Sequence, residues 1–173
     1  LVADARQAND TILRTAHLSA DVATDPVTGL STRATFTREL HRMRDDDAIV
    51  VLRVTMPAPP AGEDDGLEDA VRQFATYVQA QRGPGDHAAR VEEDEVAMLL
   101  RQTGEAGTAV VVNRLRNAWA GARPEVDLHV GVAMYRDDGV TTLSDAYDAL
   151  DAALAAELPD VEDSSDTAAE NTA

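Results

Sequence analysis

The residues of this sequence that could carry chemistry are mostly carboxylates. Glu92, Glu93, Asp94 and Glu95 follow one another between two apolar segments, and a second acidic run occupies 45–47. Carboxylates can hold a divalent cation or move a proton when they converge on one point. Consecutive residues cannot all face one ion, so we interpret 45–47 as a solvated loop. The run at 92–95 falls in a predicted hairpin, and by itself it is more typical of exposed turn acids.

Composition excludes several other kinds of site and partner. The chain has 173 residues and no cysteine, which excludes disulfides, thiolate zinc sites and a cysteine nucleophile. With 15 basic and 32 acidic residues, its formal net charge of −17 argues against nucleic acid or an anionic membrane as the main partner. No glycine-rich phosphate loop or nucleophile elbow is present. The histidines share no metal-ligand spacing: His17, His41, His87 and His129.

Hydrophobic periodicity predicts the elements that must position these residues. It indicates helices at about 32–44, 65–82, 105–120 and 143–158, and strands at about 48–56, 87–91, 95–101 and 126–134. Without the flanking helices the order is βαββαβ. This order predicts an α+β, ferredoxin-like core with an antiparallel sheet, helices on one face, and extra helices before and after it. Trp119 lies among apolar neighbours and is predicted to be in the core.

The two ends of the chain differ from this core. Residues 1–23 predict a helix, either a lead-in helix packed on its own domain or a signalling helix that pairs with a second copy. Residues 24–158 form the predicted domain, and 159–173 form an acidic tail that we expect to be disordered. No apolar run reaches the about 20 residues that span a bilayer. Because the chain starts with Leu and lacks a signal peptide, we expect part of a longer, cytoplasmic protein without direct membrane contact here.

Four segments, in order, resemble the GGDEF family of diguanylate cyclase domains. The segment 25–30, with Arg33 and Phe36, is similar to the opening DxLTGLxNR signature, with Thr32 in place of Asn. The segment 89–100 is similar to ARxGGDEFAxLL, 130–133 to the end of the SIGVA strand, and 150–154 to the ADxAL helix. The resemblance covers about 25–158. It implies a nucleotide-cyclase-like fold and a place in bacterial cyclic di-GMP signalling.

The resemblance also implies that active members hold magnesium and GTP with residues this chain lacks. Arg53 stands where they carry a magnesium-binding Asp, and a guanidinium has no lone pair for a metal. Glu92 and Glu93 replace the Gly-Gly pair of the turn, which adds bulk and negative charge beside the place of the nucleotide. The stretch 57–65 is acidic and lacks the expected Lys. Asp94 and Glu95 keep the family's acidic pair.

The resemblance also bears on the pair Arg82 and Asp86 and on Arg33. Some members bind cyclic di-GMP at an inhibitory RxxD site before the GGDEF strand. Here Asp86 holds the Asp position, Gly83 the Arg position, and Arg82 is one residue away. These two charged residues are either a remnant of a ligand site or, as the simpler interpretation, a solvated surface pair. Arg33 is expected to pair with an acid such as Asp25 in a structural role.

The leading hypothesis is a catalytically inactive GGDEF-like domain that uses no cofactor and no metal. It would act as a regulatory or dimerisation module toward a partner protein or an attached domain, with the N-terminal helix as a possible dimer contact. A second hypothesis is a non-catalytic receptor for a nucleotide or cyclic di-GMP, with Arg53 and Arg82 facing phosphates. A residual cyclase with altered metal use ranks last, because phosphoryl transfer needs metal ligands that the sequence does not supply.

Overall fold

A computed structural model describes residues 23–59, 66–136 and 141–157. One sheet has the spatial order β1-β3-β4-β2-β5. Its strands are β1 Ser31–Thr32, β2 Ala48–Thr55, β3 His87–Arg90, β4 Glu95–Leu100 and β5 Asp127–Met134. The helices are α1 Arg33–Leu40, α2 Leu67–Gln81, α3 Gly104–Ala122 and α4 Leu143–Glu157. This order confirms the predicted α+β, ferredoxin-like βαββαβ core. The predictions for 1–22 and 159–173 lie outside the described residues.

Strand β2 is the centre of the sheet. It pairs antiparallel with β4 on one side and with β5 on the other. Its first five residues, 48–52, are completely buried. Such a continuous apolar run is typical of a strand that is covered on both faces, which the structure confirms.

Helices cover both faces of the sheet. The sequence predicted that the core helices share one face, and it made no prediction for the face that the flanking helices cover. The two core helices, α2 and α3, do share a face, where Phe74 and Trp119 pack edge-to-face with ring centroids 5.1 Å apart. The flanking helices α1 and α4 cover the other face through Phe36 and Leu150. The extra helices therefore complete a second core. Trp119 is buried as predicted.

Helix α4 lies directly on β5, and a glycine makes this approach possible. A Cβ added to Gly131 would lie 2.1 Å from the carbonyl oxygen of Ala146 and 2.5 Å from the nitrogen of Leu150. No larger residue fits there without displacing the α4 backbone. The glycine thus fixes how close α4 comes to the sheet.

The segment before β2 departs from the sequence prediction. A helix was expected over 32–44, but Ser31 and Thr32 instead pair in parallel with β3, and α1 ends at Leu40. The turn at 25–30 directs the chain into β1, because the Asp25 carboxylate accepts hydrogen bonds from the Thr28 backbone and hydroxyl at 2.8 Å each. Within the described residues, no helix is both long and apolar enough to cross a bilayer.

Candidate functional site

The hairpin between β3 and β4 brings its acidic residues against the end of β2. The Val91 nitrogen donates to the Glu95 carbonyl at 3.0 Å, which closes the turn as the sequence predicted. The Val54 nitrogen donates to the Asp94 carbonyl at 2.9 Å. In the β2–β4 register, Arg53 stands directly opposite Glu95. Backbone pairing therefore places these two side chains together.

Arg53 and Glu95 form a largely buried ion pair. The Arg53 Nε donates to Glu95 Oε1 at 2.7 Å, and Nη2 lies 2.6 Å from the same oxygen. The Glu95 side chain is only 4% exposed and that of Arg53 28%. Burial alone would lower the pKa of Arg53, but the hydrogen bond and charge of Glu95 outweigh burial and raise that pKa. The guanidinium is thus held as a cation against a carboxylate that has little access to water.

Tyr147 of α4 engages the other oxygen of the same carboxylate. Its hydroxyl donates to Glu95 Oε2 at 2.7 Å. Burial raises the pKa of Tyr147 above its ordinary value, and the hydrogen bond and charge of Glu95 raise it further. The phenol therefore stays a donor at neutral pH. No motif in the sequence pointed to Tyr147, although α4 spacing places it one residue after the buried Ala146.

These contacts do not fit a divalent cation at the position that the resemblance implies. Such a cation needs carboxylate or carbonyl oxygens with free lone pairs around it. Here both oxygens of Glu95 already accept hydrogen bonds, and the position opposite belongs to Arg53. Among the described residues, no group of three or more His, Asp or Glu side chains gathers in a metal-binding arrangement.

The cleft beside this pair has a mixed polar and apolar lining. It encloses about 200 Å³ between the segment 54–59 after β2, Leu67 of α2 and Asp94. Asp94 is the only charged residue among those that line it within the described part of the chain. The cleft therefore offers a triphosphate repulsion from a carboxylate, and no basic residue lines the described part of the cleft to oppose it.

The two glutamates that replace the glycine pair are exposed at the hairpin tip. Glu92 forms an ion pair with Arg33, and the backbone carbonyl of Glu93 accepts a hydrogen bond from Arg90 Nη2 at 2.8 Å. Arg33 therefore pairs with an acid as expected, but the acid is Glu92 and not Asp25. Asp25 is already committed to the turn at 25–30, whereas the hairpin tip brings Glu92 within reach of Arg33.

Asp86 acts as a structural residue of the turn before β3. Its Oδ2 accepts the Gly83 nitrogen and its Oδ1 the Arg101 nitrogen, both at 2.8 Å. Arg82 is exposed, and no bond from its side chain to Asp86 is found in the described part of the chain. Whether Arg82 and Asp86 bind any ligand stays a prediction.

Asp47 is a buried acid that the sequence interpretation assigned to solvent. Asp45 and Asp46 are exposed as expected, but Asp47 is 1% exposed. Its carboxylate accepts hydrogen bonds from Arg101 Nη1 at 2.7 Å and from the Gln102 nitrogen at 2.9 Å. It thereby ties the start of β2 to the end of β4. Its position directly before the apolar run 48–52 was the available signal.

No family model matches the chain, and no curated protein matches it. Solved structures of GGDEF domains do share its fold. The GGDEF domain of FimX from Pseudomonas aeruginosa matches with a TM-score of 0.64 and 18% identity, over 78% of this chain and 94% of that chain. A sensory box/GGDEF family protein from Caulobacter crescentus matches with a TM-score of 0.65 and 20% identity, over 78% and 99%.

A third structure extends the match along the chain. The diguanylate cyclase SiaD from Pseudomonas aeruginosa, solved in complex with its activator SiaC, has a TM-score of 0.60 and 22% identity. The match covers 90% of this chain and 66% of the SiaD chain. The chain thus has a GGDEF-like, nucleotide-cyclase-like fold. Within that fold, an arginine–glutamate pair occupies the place where the resemblance puts a metal.

Proposed function

We propose that this chain is a catalytically inactive GGDEF-like domain that serves cyclic di-GMP signalling as a regulatory or protein-interaction module. The observation that carries the proposal is the ion pair between Arg53 and Glu95, closed on its far side by Tyr147. The guanidinium neutralises the carboxylate in place of a metal. A guanidinium can neither release a coordination position nor polarise an attacking hydroxyl as a metal does.

Charge around the pair supports the same proposal. Phosphoryl transfer depends on cations that neutralise the triphosphate and hold it in line with the nucleophile. The described lining of the cleft carries Asp94 and no basic residue. At the hairpin tip, Arg33 is already paired with Glu92. Arg90 donates to the Glu93 carbonyl and lies 3.7 Å from the Asp25 carboxylate. Binding energy for a triphosphate therefore has no source among these residues.

The structural neighbours support a role that involves contact with a partner protein or an attached domain. SiaD was solved with its activator protein SiaC, and LapD from Vibrio cholerae was solved as an S helix-GGDEF-EAL chain bound to c-di-GMP. In these proteins a GGDEF domain works next to a partner or an attached domain. We extend this arrangement to the present chain, with the segment 1–22 as the proposed connection or dimer contact.

The second candidate, a nucleotide receptor, relied on Arg53 and Arg82 as phosphate ligands. Arg53 is engaged by Glu95, so this candidate now rests on the exposed Arg82. Isothermal titration with GTP, GMP and cyclic di-GMP separates the two. Saturable heat with a millimolar or lower Kd would favour the receptor, and its absence would favour the interaction module.

Turnover of GTP tests the proposal itself. The purified chain is incubated with GTP and Mg²⁺, or with Mn²⁺, and cyclic di-GMP is measured by mass spectrometry, with SiaD and its activator as the positive control. We expect no product above the level of a protein-free blank. Steady formation of cyclic di-GMP by the chain would overturn the proposal.

A further inference from the structure

Strand β5 is an edge strand in the described part of the chain, and its Met134 carbonyl accepts the Thr141 hydroxyl at 3.3 Å. It pairs with β2 along its entire length of eight residues, and it is the last strand in the spatial order of the sheet. No strand within the described residues pairs with its other side. Every second residue of such a strand points its backbone N–H and C=O away from the sheet. Long edges are usually protected by Lys, Pro or a bulge, and the β5 sequence has neither Lys nor Pro.

An apolar groove runs along this edge on the side of α3. It encloses about 390 Å³, and Val112 of α3 faces Val132 and Met134 of β5 across it. These three side chains are only partly buried. A strand added to β5 would direct alternate side chains toward this groove, because side chains alternate between the two faces of a sheet. The groove therefore selects apolar residues at every second position of the added strand.

The other face of β5 is mainly acidic. It is covered by α4, which carries Asp145, Asp148 and Asp151 and no basic residue. Arg136 lies near Asp145 and Arg53 near Asp151, so part of this negative charge is already balanced. The whole chain has a formal net charge of −17, so two copies repel one another. Electrostatics therefore favours a basic partner over a second copy of this chain.

We propose that β5 accepts an extended segment of a partner protein as an additional strand, in which apolar residues alternate with Lys or Arg. Backbone hydrogen bonds to the open edge hold the segment, its apolar side chains enter the groove of Val112, Val132 and Met134, and its basic side chains face the side of α4. The inference rests on the proposed role as an interaction module and names the surface and the chemistry of its partner.

A model peptide tests the surface directly in the full 173-residue chain. The probe is the peptide Lys-Val-Lys-Val-Lys-Val-Lys, titrated into the ¹⁵N-labelled protein. We expect shifts and slowed amide exchange at alternate residues of β5, and weaker effects from the peptide in which Glu replaces each Lys. Shifts confined to other elements, or equal binding of the Glu peptide, would overturn the inference. Outward amides of β5 already protected in the free protein would also overturn it.

A matched pair of variants checks the groove. Val112→Lys places a charge inside it, whereas Val110→Lys alters a residue of the same helix that is 47% exposed and outside the groove lining. We expect Val112→Lys to weaken peptide binding about tenfold and Val110→Lys to leave it within a factor of about two. Equal effects, or a peptide that leaves β5 unchanged at millimolar concentration, would refute the site. Neither result bears on GTP turnover, so the proposed inactivity stands or falls separately.

Discussion

Replacing Arg53 with methionine should destabilise the fold by about 3 kcal/mol, because it leaves the Glu95 carboxylate buried without its counter-charge. Methionine keeps an unbranched side chain of similar length on β2, so the change removes charge and hydrogen bonds more than packing. The Glu95 side chain is only 4% exposed, and the β2–β4 register places it directly opposite position 53.

The size of the effect follows from the geometry of the pair. At the 2.6 Å separation of Arg53 Nη2 and Glu95 Oε1, two unit charges attract by about 6 kcal/mol at an effective dielectric constant of about 20. Desolvation of the two groups offsets a large part of this attraction. Removal of one partner of a buried pair typically costs roughly 3 to 5 kcal/mol. We take the lower end, since water reaches part of Arg53.

Urea denaturation measures the free energy of unfolding for the natural chain, for Arg53→Met, for Glu95→Gln and for the double variant, which together form a double-mutant cycle. Glu95→Gln keeps an acceptor for Tyr147 and should cost about 1 to 2 kcal/mol. Together with Arg53→Met it should show a coupling energy of about 2 kcal/mol. As a control, Arg72→Met breaks an exposed pair with Glu68 and should cost less than about 1 kcal/mol. Equal losses for the two arginine variants, or a coupling near zero, would refute the reasoning.

Two further substitutions test the contacts of α4. Tyr147→Phe removes the hydrogen bond to Glu95 and should cost about 1 to 2 kcal/mol in urea denaturation. The folded-state pKa of Tyr147 lies above its unfolded value of 10.0, so the stability gained from this hydrogen bond should persist below pH 10.0 and decline as the pH rises above it. A stability difference between the natural chain and Tyr147→Phe that grows at high pH would contradict this pH dependence. Gly131→Ala should lower stability by about 3 kcal/mol or more, because its Cβ would meet the Ala146 carbonyl. As a control, a Cβ added at Gly121 would meet no atom within 4 Å, so Gly121→Ala should be neutral or stabilising. Similar losses of stability for both alanine variants would be evidence against the close approach of α4 to Gly131.

Sequence patterns predicted the described elements of the fold well, because each is strongly periodic or strongly apolar. The continuous apolar run 48–52 at the start of β2 corresponds to burial on both faces. Apolar residues alternate in β5 at Leu128, Val130, Val132 and Met134, which marks a strand, but burial there does not alternate because α4 covers the second face. The errors lie where tertiary pairing overrides local preference. Thr32 was predicted to be helical, but it joins β1 because β3 offers its edge there.

The candidate site was predictable in its residue types but not in its contacts. The sequence shows Arg53 at the position where the family resemblance leads us to expect a metal ligand. Its pairing with Glu95 depends on the register of β2 against β4, and the role of Tyr147 depends on the packing of α4. Neither is encoded in local spacing. The same limit explains why Asp47 was assigned to solvent, since its partner Arg101 lies on a different strand end.

Binding of Mn²⁺, a paramagnetic substitute for Mg²⁺, tests most directly whether Arg53 takes the place of a metal. The titration is followed by electron paramagnetic resonance for the natural chain, for Glu95→Gln and for Arg53→Asp. We predict no saturable Mn²⁺ site in the natural chain and a gain of Mn²⁺ binding in Arg53→Asp. A saturable Mn²⁺ site in the natural chain that Glu95→Gln abolishes would contradict it.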